Sequence, residues 1–418
     1  MQFPRFLILS ISVLGFFAST ANAQLFPNLV GETLGTLPKS RWMVSVAQVN
    51  GAMESRFTAD GTNQSFSSLF NRQVSWEQVI SDRPERKEQV AGLLMANGVD
   101  PSSQAGAVNG EFVGRMTSTV PVLGYGVNDR LGIFLALPVL KFEVRSGAGF
   151  LSSQSTQKLI QNLEASGQFS TAREFSANFQ SSFSKQLARA GYTMDSSYTQ
   201  TFLGDLRAEI PYVVRGTSRS VELTWTQTVV APTAQQAPVS ELFGFFGGQG
   251  RWMLGSRAIA GYTPPSVRRL GFVGSLGGLV PFATHRAMRV GPVGTTDLIS
   301  DVDPNTRVSG GLQYQAYLST HYQLNRTFKA RVSYQFQEIL DRTYSGTLFS
   351  APRYEEMSRG SGERLQSFQA ALEINTIQAF LSGDFVMPGM LNLAAAFPVS
   401  GKNSLSSTAW MIQGAMFF

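Results

Sequence analysis

Few side chains in this sequence are suited to catalysis or to metal binding. Cysteine is absent and only two histidines occur, His285 and His321, so thiolate chemistry and clusters of imidazole ligands are excluded. The only serine–histidine combination is Ser319-Thr320-His321, in a segment whose polar face carries both functional side chains. Such a pair could support hydrolysis, but a hydrogen-bonded histidine on a polar strand face is the simpler interpretation. We therefore expect no enzyme activity and no catalytic, metal or cofactor site.

Charged side chains of both signs recur in the segments that alternate polar and apolar residues. We expect them to face the inside of a channel; they are Glu111, Arg115, Lys141, Glu143, Arg145, Asp205, Arg207, Glu209, Glu222, Arg257, Lys329, Arg331 and Glu373. An open pore for ions of one sign should favour one sign at its constriction. The mixture instead predicts ion pairs across a narrow lumen, or a modest general pore. The candidate constriction consists of Asp205, Arg207, Glu209, Lys329 and Arg331.

Apolar side chains also recur at helical spacing in the long connections between those segments. Ser75 and Gln78 form a capping box, Pro84 can open a helix, and Asn97-Gly98 can close it. The candidates for a greasy external groove are Phe175, Phe179, Phe183, Leu187, Phe243, Phe245, Phe246, Leu93 and Leu94. These stripes are typical of amphipathic helices. They would either capture an apolar solute or pack the loops against one another over the channel mouth.

The elements that position these residues are β-strands. Segment 327–338 places Phe328, Val332 and Phe336 on one face and Lys329 and Arg331 on the other, which is the period of two of a strand. Twelve such segments occur, near 41–49, 108–121, 130–145, 202–212, 219–230, 251–263, 268–288, 312–323, 327–338, 366–380, 384–398 and 405–418. Most of them are long enough to cross a bilayer when tilted.

The connections between these strands alternate between short polar turns and long loops. Short turns rich in Asn, Asp, Gly, Pro or Ser follow every second strand, while the long loops cover about 50–107, 146–199, 231–250, 289–306 and 346–363. This segregation is typical of outer-membrane barrels. The sequence therefore predicts an all-β, transmembrane, antiparallel up-and-down barrel of about 12 strands, or alternatively 14, with helical extracellular loops and periplasmic termini.

The last segment supports contact with lipid. Trp410, Ile412, Met416 and Phe418 share one apolar face, and a soluble protein would expose an aggregation-prone edge there unless the strand packed inward. We expect Phe418 to act as a signal for barrel assembly and to close the barrel on the segment near Trp42.

The first 23 residues have the form of a secretory signal peptide. Arg5 precedes an apolar run, and Ala21-Asn22-Ala23 matches a cleavage pattern, so residues 24–418 are expected to form a single barrel domain. Residues 24–40 would lie in the periplasm or in the lumen. The net charge of +6 is spread along the chain, which gives no nucleic-acid site. The expected partners are the bilayer with its lipopolysaccharide, the barrel assembly machinery and a small apolar solute; the oligomeric state is left open.

Prolines follow apolar residues at several places in the predicted strands. Since proline cannot donate to the ladder, each should mark a strand end, a bulge or a kink. Ends are the commoner case, and Pro138 and Pro388 are the two expected to lie within the wall. A kinked wall could create a lateral opening.

These features resemble two families of outer-membrane barrels that admit hydrophobic compounds: the long-chain fatty-acid transporters with their aromatic-hydrocarbon relatives, and the barrels of phenol meta-cleavage operons. The signal peptide, the apolar-proline steps, the Tyr125-Gly-Val-Asn128-Asp129 turn, the loop helices and Phe418 carry the resemblance. The fatty-acid transporters have fourteen strands and a longer amino-terminal hatch, whereas only Gln24 to Lys39 precede the first strand here. The resemblance implies a passive channel for small hydrophobic or amphipathic molecules; a structural or adhesive barrel with a closed lumen and a general diffusion porin are the alternatives.

Overall fold

The computed structural model describes residues 37–69, 71–77, 87–172, 197–214, 220–235, 239, 248–291 and 301–418. The predicted signal peptide, the stripe from Phe175 to Leu187 and the loop residues Phe243, Phe245 and Phe246 lie outside these ranges and stay predictions.

The described chain is built mostly of strands. In chain order they are β1 Trp42–Met53, β2 Ser55–Phe57, β3 Asn63–Ser65, β4 Arg72–Ser75, β5 Gln104–Asn128, β6 Leu131–Ala136, β7 Val139–Ser152, β8 Ser197–Leu203, β9 Leu206–Val214, β10 Val221–Ala231, β11 Met253–Tyr262, β12 Leu270–Pro281, β13 Thr284–Val290, β14 Asp301–Gly310, β15 Gln313–Gln323, β16 Phe328–Ile339, β17 Arg342–Ser345, β18 Glu363–Asn375, β19 Gly389–Lys402, β20 Ser404–Leu405 and β21 Ala409–Phe417. The α-helices are α1 Lys87–Ala96, α2 Gln154–Ala165, α3 Ala351–Ser358 and α4 Ile377–Leu381. None of the helices in the described ranges has the length and apolar character needed to cross a membrane.

The long strands form one closed antiparallel barrel. Its hydrogen-bonded order runs from β1 through β21, β19, β18, β16, β15, β12, β11, β10 and β9 to β6 and β5, and β5 returns to β1. Two wall strands are each made of two segments, β6 with β7 and β8 with β9, so the wall has twelve strands. The predicted barrel and its strand count are confirmed.

The outer face of the barrel is apolar where the strands lie side by side. Large apolar side chains that point outward and are exposed include Val46 on β1, Trp225 on β10, Leu276 on β12, Val332 on β16 and Ile412 on β21. Water would disfavour so much exposed apolar surface, whereas lipid tails favour it, and a closed barrel leaves no unpaired edge in the bilayer. The chain is therefore an outer-membrane β-barrel.

Two turns at one end of the barrel are tight and follow one design, whereas the connection from β18 to β19 at this end contains α4, where the sequence predicted the strand 366–380 to continue. Asn128 Oδ1 accepts hydrogen bonds from the amides of Arg130 and Leu131, both at 2.9 Å. Asn325 Oδ1 accepts the equivalent bonds from Thr327 and Phe328, both at 2.8 Å. In both turns an asparagine side chain thus binds the backbone amides of the residues two and three positions later. We call this the short-turn end and the opposite one the long-loop end.

A second sheet stands at the long-loop end, where the sequence predicted loops over 289–306 and 346–363. Strands β13, β14 and β17 pair in that order, and α3 packs on them around Val290, Val308, Tyr344 and Tyr354. The segment predicted as one strand over 268–288 is in fact β12 of the wall followed by β13 of this sheet. Polar and charged residues interrupt the apolar alternation in these strands, as Asp303 and Thr306 do at buried positions of β14, which is why the sequence did not reveal them.

Helices α1 and α2 belong to a separate apolar core in the other long loops. Trp76, Leu94, Leu159 and Leu163 are buried there and have no exposed surface. Ser153 caps α2 by accepting a hydrogen bond from the Thr156 amide at 3.2 Å. Gly98, with a φ of +66°, follows α1 as the predicted helix stop.

Pro138 interrupts the wall, whereas Pro388 does not. Pro138 separates β6 from β7, and in the next wall strand Gly204 and Asp205 separate β8 from β9 at the same level. The pairing of β7 with β8 is shifted by one residue relative to the pairing of β6 with β9. Pro388 directly precedes β19 and so lies at a strand end. One of the two prolines expected within the wall is therefore found there.

Candidate solute cavity in the lumen

A cavity of about 150 Å³ occupies the lumen towards the long-loop end. Its apolar lining comprises Phe134, Ala136, Pro138, Val230, Met253, Leu279 and Ile339. Its polar lining comprises Asp205, Arg207, Glu209, Thr228, Gln249, Arg257, Gln313, Gln315 and Gln337. A chamber with both kinds of surface can hold a small molecule that has an apolar body and a polar group.

Glu209 is the centre of an ion-pair cluster on the cavity wall. Alternate residues of β9 face inward, so Arg207 and Glu209 point to the same side, and Arg257 reaches them from β11. Glu209 Oε1 lies 2.5 Å from Arg207 Nη2, and its Oε2 lies 3.3 Å from Arg257 Nη2. Glu209 and Arg257 are only 5% exposed. Because the pairs are shielded from solvent, they form a fixed polar barrier rather than a hydrated ring of one sign.

Asp205 fastens a loop to the interruption in the wall. Its carboxylate accepts hydrogen bonds from the amides of Ala234 at 3.1 Å, Gln249 at 2.7 Å and Gly250 at 3.3 Å. A Cβ on Gly248 would lie 2.2 Å from Asp205 Oδ2, so this close approach requires glycine. Asp205 thus faces the cavity and holds the segment before β11 over it.

The structure does not bring Lys329 and Arg331 to this cluster. On β16 the cavity is lined by Gln337 and Ile339, and Lys329 lies eight residues from Gln337, about 26 Å along an extended strand. Lys329 Nζ pairs with Glu373 Oε2 at 2.7 Å, near the short-turn end. The predicted constriction therefore divides into two groups of charges at different depths.

His321 lies beside that lower group of charges. It is the register partner of Arg331 and of Gly271, and a Cβ on Gly271 would lie 2.3 Å from the imidazole ring. Ser319 points to the same inward face two residues earlier. Among the described residues, no group of three or more His, Asp and Glu side chains could hold a metal ion.

The prediction that all the charged residues face the lumen was wrong for β5 and β7. The side chains of Lys141 and Glu143 are 49% and 46% exposed, and their ion pair of 2.6 Å lies on the outer surface. On the opposite face of β7, Leu140 and Phe142 are completely buried. β5, the partner of β7, has 25 residues, about 80 Å of extended chain and more than the apolar core requires. Where a strand extends beyond the apolar core of the bilayer, its outward side chains meet water and lipid headgroups. Polar residues then lie on the outward face and apolar residues on the inward face, the reverse of the arrangement within the bilayer.

The lumen has an apolar side and a polar side. Inward residues of β1, β5 and β7 are mostly apolar, as Ala47, Val120 and Phe142 show, and all three are fully buried. Inward residues of β15, β16 and β18 form a polar column that continues below the cavity: Gln315, Tyr317, Ser319, Gln337, Gln335, Ser333, Ser367 and Gln369. Gln369 donates to Gln335 within this column at 3.0 Å.

The segment before β1 enters the short-turn end of the lumen. Leu37 is 6% exposed and belongs to an apolar cluster with Met43, Val122 and Phe134. The amide of Ser40 donates to the Gly126 carbonyl at 2.7 Å. Leu37 thus contacts inward-facing residues of the wall, while Pro38, Lys39 and Ser40 are exposed at the short-turn end.

The two described residues of the predicted external groove pack within the loops. Leu94 is completely buried in the core formed with Trp76 and α2, and Leu93 packs against that core. Leu94 therefore offers no surface to a solute in this structure, which agrees with the alternative that the stripes pack the loops together.

Sequence reasoning missed several residues at the cavity. Gln313, Met253 and Gln249 lie at strand ends or in a loop, where no alternation distinguishes inward from outward positions. Arg251 lies two residues before β11 and is 2% exposed. Its position two residues before the inward-facing Met253 could have indicated that it also points inward, because alternate residues of a strand share a face.

The fold and the lumen together define a twelve-stranded outer-membrane barrel. An outer membrane channel from Pseudomonas putida F1 resembles it over 94% of this chain and 100% of that one, with 10% identity and a TM-score of 0.52, which shows a shared fold. Weaker likenesses are the CymD monoaromatic hydrocarbon channel, with 9% identity over 91% of this chain and 89% of that one and a TM-score of 0.35, and the translocator domain of the autotransporter NalP from Neisseria meningitidis, with 9% identity over 95% and 94% and a TM-score of 0.40. No protein-family model and no curated protein sequence matches.

Proposed function

We propose that this barrel is a passive outer-membrane channel for small hydrophobic or amphipathic molecules. The observation that carries the proposal is the cavity near the long-loop end, whose lining combines apolar residues such as Phe134, Met253 and Leu279 with the charged residues Glu209 and Arg257. A chamber of this kind retains a molecule by burying its apolar body while satisfying its polar group. The known channel of similar fold is consistent with transport and does not name a solute.

The proposal includes two routes out of the cavity, each of which requires side chains or strand segments to move. The polar column on β15, β16 and β18 continues towards the periplasm and ends near Lys329 and Glu373. The second route is the interruption between Pro138 and Asp205, which both line the cavity, beside the exposed, lipid-facing Leu135 and Leu203. A hydrophobic solute would favour the second route because it leads directly from a sheltered cavity to lipid.

The charge pairs act in this proposal as a filter against ions. On the cavity wall Glu209 pairs with Arg207 and Arg257, and Asp205 adds a second negative charge, so the four charges balance. Lower down, Lys329 pairs with Glu373. A general porin would instead need a continuous hydrated path with an excess of one sign at its constriction. The arrangement favours slow passage of uncharged or amphipathic molecules over high ionic conductance.

The proposal also includes capture residues in the loops and partners at the membrane. The solute would first be captured by apolar residues of the long loops, namely Phe175, Phe179, Phe183 and Leu187 of one loop and Phe243, Phe245 and Phe246 of another. Lipopolysaccharide would contact the outward charges of Lys141 and Glu143 above the apolar belt. The barrel assembly machinery would recognise the terminal strand with Phe418.

Uptake by proteoliposomes tests the function. Benzyl alcohol should enter faster with the barrel than without it, whereas arabinose, which is polar and of similar size, should not. Planar bilayers should show little steady conductance. Fast arabinose entry with a large conductance would establish a porin, and no entry of either compound would leave the structural or adhesive barrel. Phe179→Asp with Phe183→Asp should slow benzyl alcohol entry if the stripe captures solute, while Met95→Asp, at a residue 66% exposed beside the loop core, is the matched control.

A further inference from the structure

Two buried arginines meet above the cavity, at the long-loop end of the lumen. Arg251 precedes β11 and Arg342 begins β17, and they are 2% and 4% exposed. Both lie against Gly311, whose φ is +78°: a Cβ built there would be 3.6 Å from Arg251 Nη1 and 3.7 Å from Arg342 Nε. The two guanidinium groups therefore share a small space from which water is largely excluded.

Only Arg342 has a counter-charge in this space. Arg342 Nη1 lies 2.9 Å from Glu363 Oε1 and donates to the Ser361 carbonyl at 3.1 Å. Arg251 Nε donates to the Phe282 carbonyl at 2.8 Å and Nη1 to the Gly310 carbonyl at 3.0 Å, which are neutral acceptors. With the residues described, Arg251 forms no ion pair, and its Nη2 is buried without an acceptor.

The unpaired Nη2 is costly unless something binds it. A buried charged donor without an acceptor loses its hydration and gains no hydrogen bond in return, and Arg342 nearby adds repulsion. Burial, followed by the positive charges of Arg342 and Arg286, lowers the pKa of Arg251 to about 10, so the side chain keeps its charge at neutral pH. An oxyanion would supply both the missing acceptor and the missing negative charge.

Arg251 lies just beyond the lining of the cavity, two residues before Met253. Its neighbours Gln249 and Met253 line the cavity. Its two acceptors are also close in sequence to cavity residues: Phe282 follows Leu279 by three residues, and Gly310 precedes Gln313 by three. Resting on the proposed function, we propose that Arg251 is an oxyanion subsite that binds the carboxylate of a small amphipathic molecule, whose apolar body lies against Met253, Leu279 and Ile339.

An organic carboxylate fits this position better than an inorganic anion. The residues directly below Arg251 on the inward faces are Met253, Leu279 and Ile339, which gain free energy from contact with an apolar body and gain none from a hydrated ion. Because carbonyls already hold Nε and Nη1, the guanidinium is fixed in place, and its Nη2 can donate a charge-assisted hydrogen bond to one carboxylate oxygen.

Calorimetry on the full-length barrel in nanodiscs tests the subsite, with benzoate, benzyl alcohol and acetate as probes. Benzoate should bind about 10-fold more tightly than benzyl alcohol, whose ring is the same and which carries no charge. In Arg251→Gln that preference should disappear while benzyl alcohol binding stays unchanged. Arg364→Gln is the matched control, because Arg364 pairs with Glu338 at 2.6 Å and is 48% exposed.

Each other outcome overturns a defined statement. Equal binding of benzoate and benzyl alcohol by the unmodified barrel, or a preference that survives Arg251→Gln, removes the subsite and leaves the channel. Acetate binding as tightly as benzoate removes the amphipathic ligand. If neither aromatic compound binds, the proposed function itself fails. Heat-dependent mobility on gels reports whether Arg251→Gln folds, and if it does not, the three probes on the unmodified barrel decide the question.

Discussion

Trp42 and Phe418 close the barrel by exchanging both of their backbone hydrogen bonds. The Trp42 amide donates to the Phe418 carbonyl at 3.1 Å, and the Phe418 amide donates to the Trp42 carbonyl at 2.9 Å. From there β1 and β21 pair in register from Met43 with Phe417 to Gly51 with Ala409. The residue predicted to join the last strand to the first does so at the short-turn end, next to the chain terminus. Closure therefore depends on a contact between the two ends of the sequence.

Replacing Phe418 separates assembly from stability. Phe418→Ala keeps the backbone bonds to Trp42 but removes a ring that is 58% exposed on the outer face. If the ring is a signal for the assembly machinery, folded barrel in outer membranes should fall several-fold, while refolding into liposomes without that machinery should stay normal. Fractionation and heat-dependent gel mobility measure both. Equal losses in cells and in liposomes would mean a packing role only, and Val386→Ala, at a residue 95% exposed before β19, is the control.

The fold was predictable from the sequence because two independent patterns agree. Alternation gave strands such as β15 and β16 and placed Val332 outward, and the alternation of loop lengths gave the topology. What escaped prediction lies where those patterns stop. The sheet of β13, β14 and β17 lies outside the barrel wall. There a charged residue can face solvent on either side of a strand, so its position does not indicate which face points to the lumen.

Glu209 should stabilise the barrel through its two arginines. In Glu209→Gln the side chains of Arg207 and Arg257 lose their counter-charge, and breaking a buried pair in this way costs about 3–5 kcal/mol. Denaturant unfolding from liposomes measures the loss. Planar bilayers should also show higher conductance with a preference for anions, because the net charge at the cavity wall becomes positive.

Glu143 is the matched control for this substitution. Its pair with Lys141 is on the outer surface, where solvent and salt screen the attraction, so Glu143→Gln should change stability and conductance little. An equal effect of the two substitutions would contradict the difference in burial on which the prediction rests.

Gly126 should hold the segment before β1 in the lumen. A Cβ at this position would lie 2.1 Å from the Pro38 carbonyl oxygen and 2.6 Å from that of Leu37, and both are backbone atoms that cannot rotate away. Gly126→Ala should therefore displace this segment and raise single-channel conductance by opening the short-turn end. Gly414→Ala is the control, since a Cβ there meets nothing within 4 Å. Unchanged conductance in a folded Gly126→Ala barrel would show that the segment does not obstruct the path.

Leu94 and Met95 test whether the loop helix packs or binds solute. Leu94 is completely buried, whereas Met95 is 66% exposed on the same helix. Leu94→Ala should cost the loop core about 2–5 kcal/mol and make it sensitive to protease, while Met95→Ala should not. Slower benzyl alcohol uptake with Met95→Ala and an intact loop would instead favour an external groove on the exposed face of α1.

The candidate site was predictable only in part, for a geometric reason. Asp205, Arg207 and Glu209 are close in sequence and share a face, so their grouping followed from strand periodicity. Arg257 and Arg251 reach the same end of the lumen from β11 and from the residues before it, and which rows come together depends on the stagger of the closed barrel. Because the stagger is set by pairing across the whole wall, the sequence did not show that Lys329 and Arg331 lie at a different depth from Glu209.

An engineered disulfide next to the interruption of the wall at Pro138 and Gly204 tests the lateral route. The chain has no cysteine, so Val139→Cys with Leu203→Cys introduces a single possible disulfide between register partners just above Pro138 and Gly204. If solute leaves through this interruption, oxidation should slow benzyl alcohol uptake several-fold and reduction should restore it, because the two strand segments can then separate again. The control disulfide, Leu223→Cys with Ala260→Cys, joins β10 to β11 where the ladder is continuous and should have no effect. Uptake that is equally fast in the oxidised and reduced Val139–Leu203 variant would direct the solute to the axial path along the polar column.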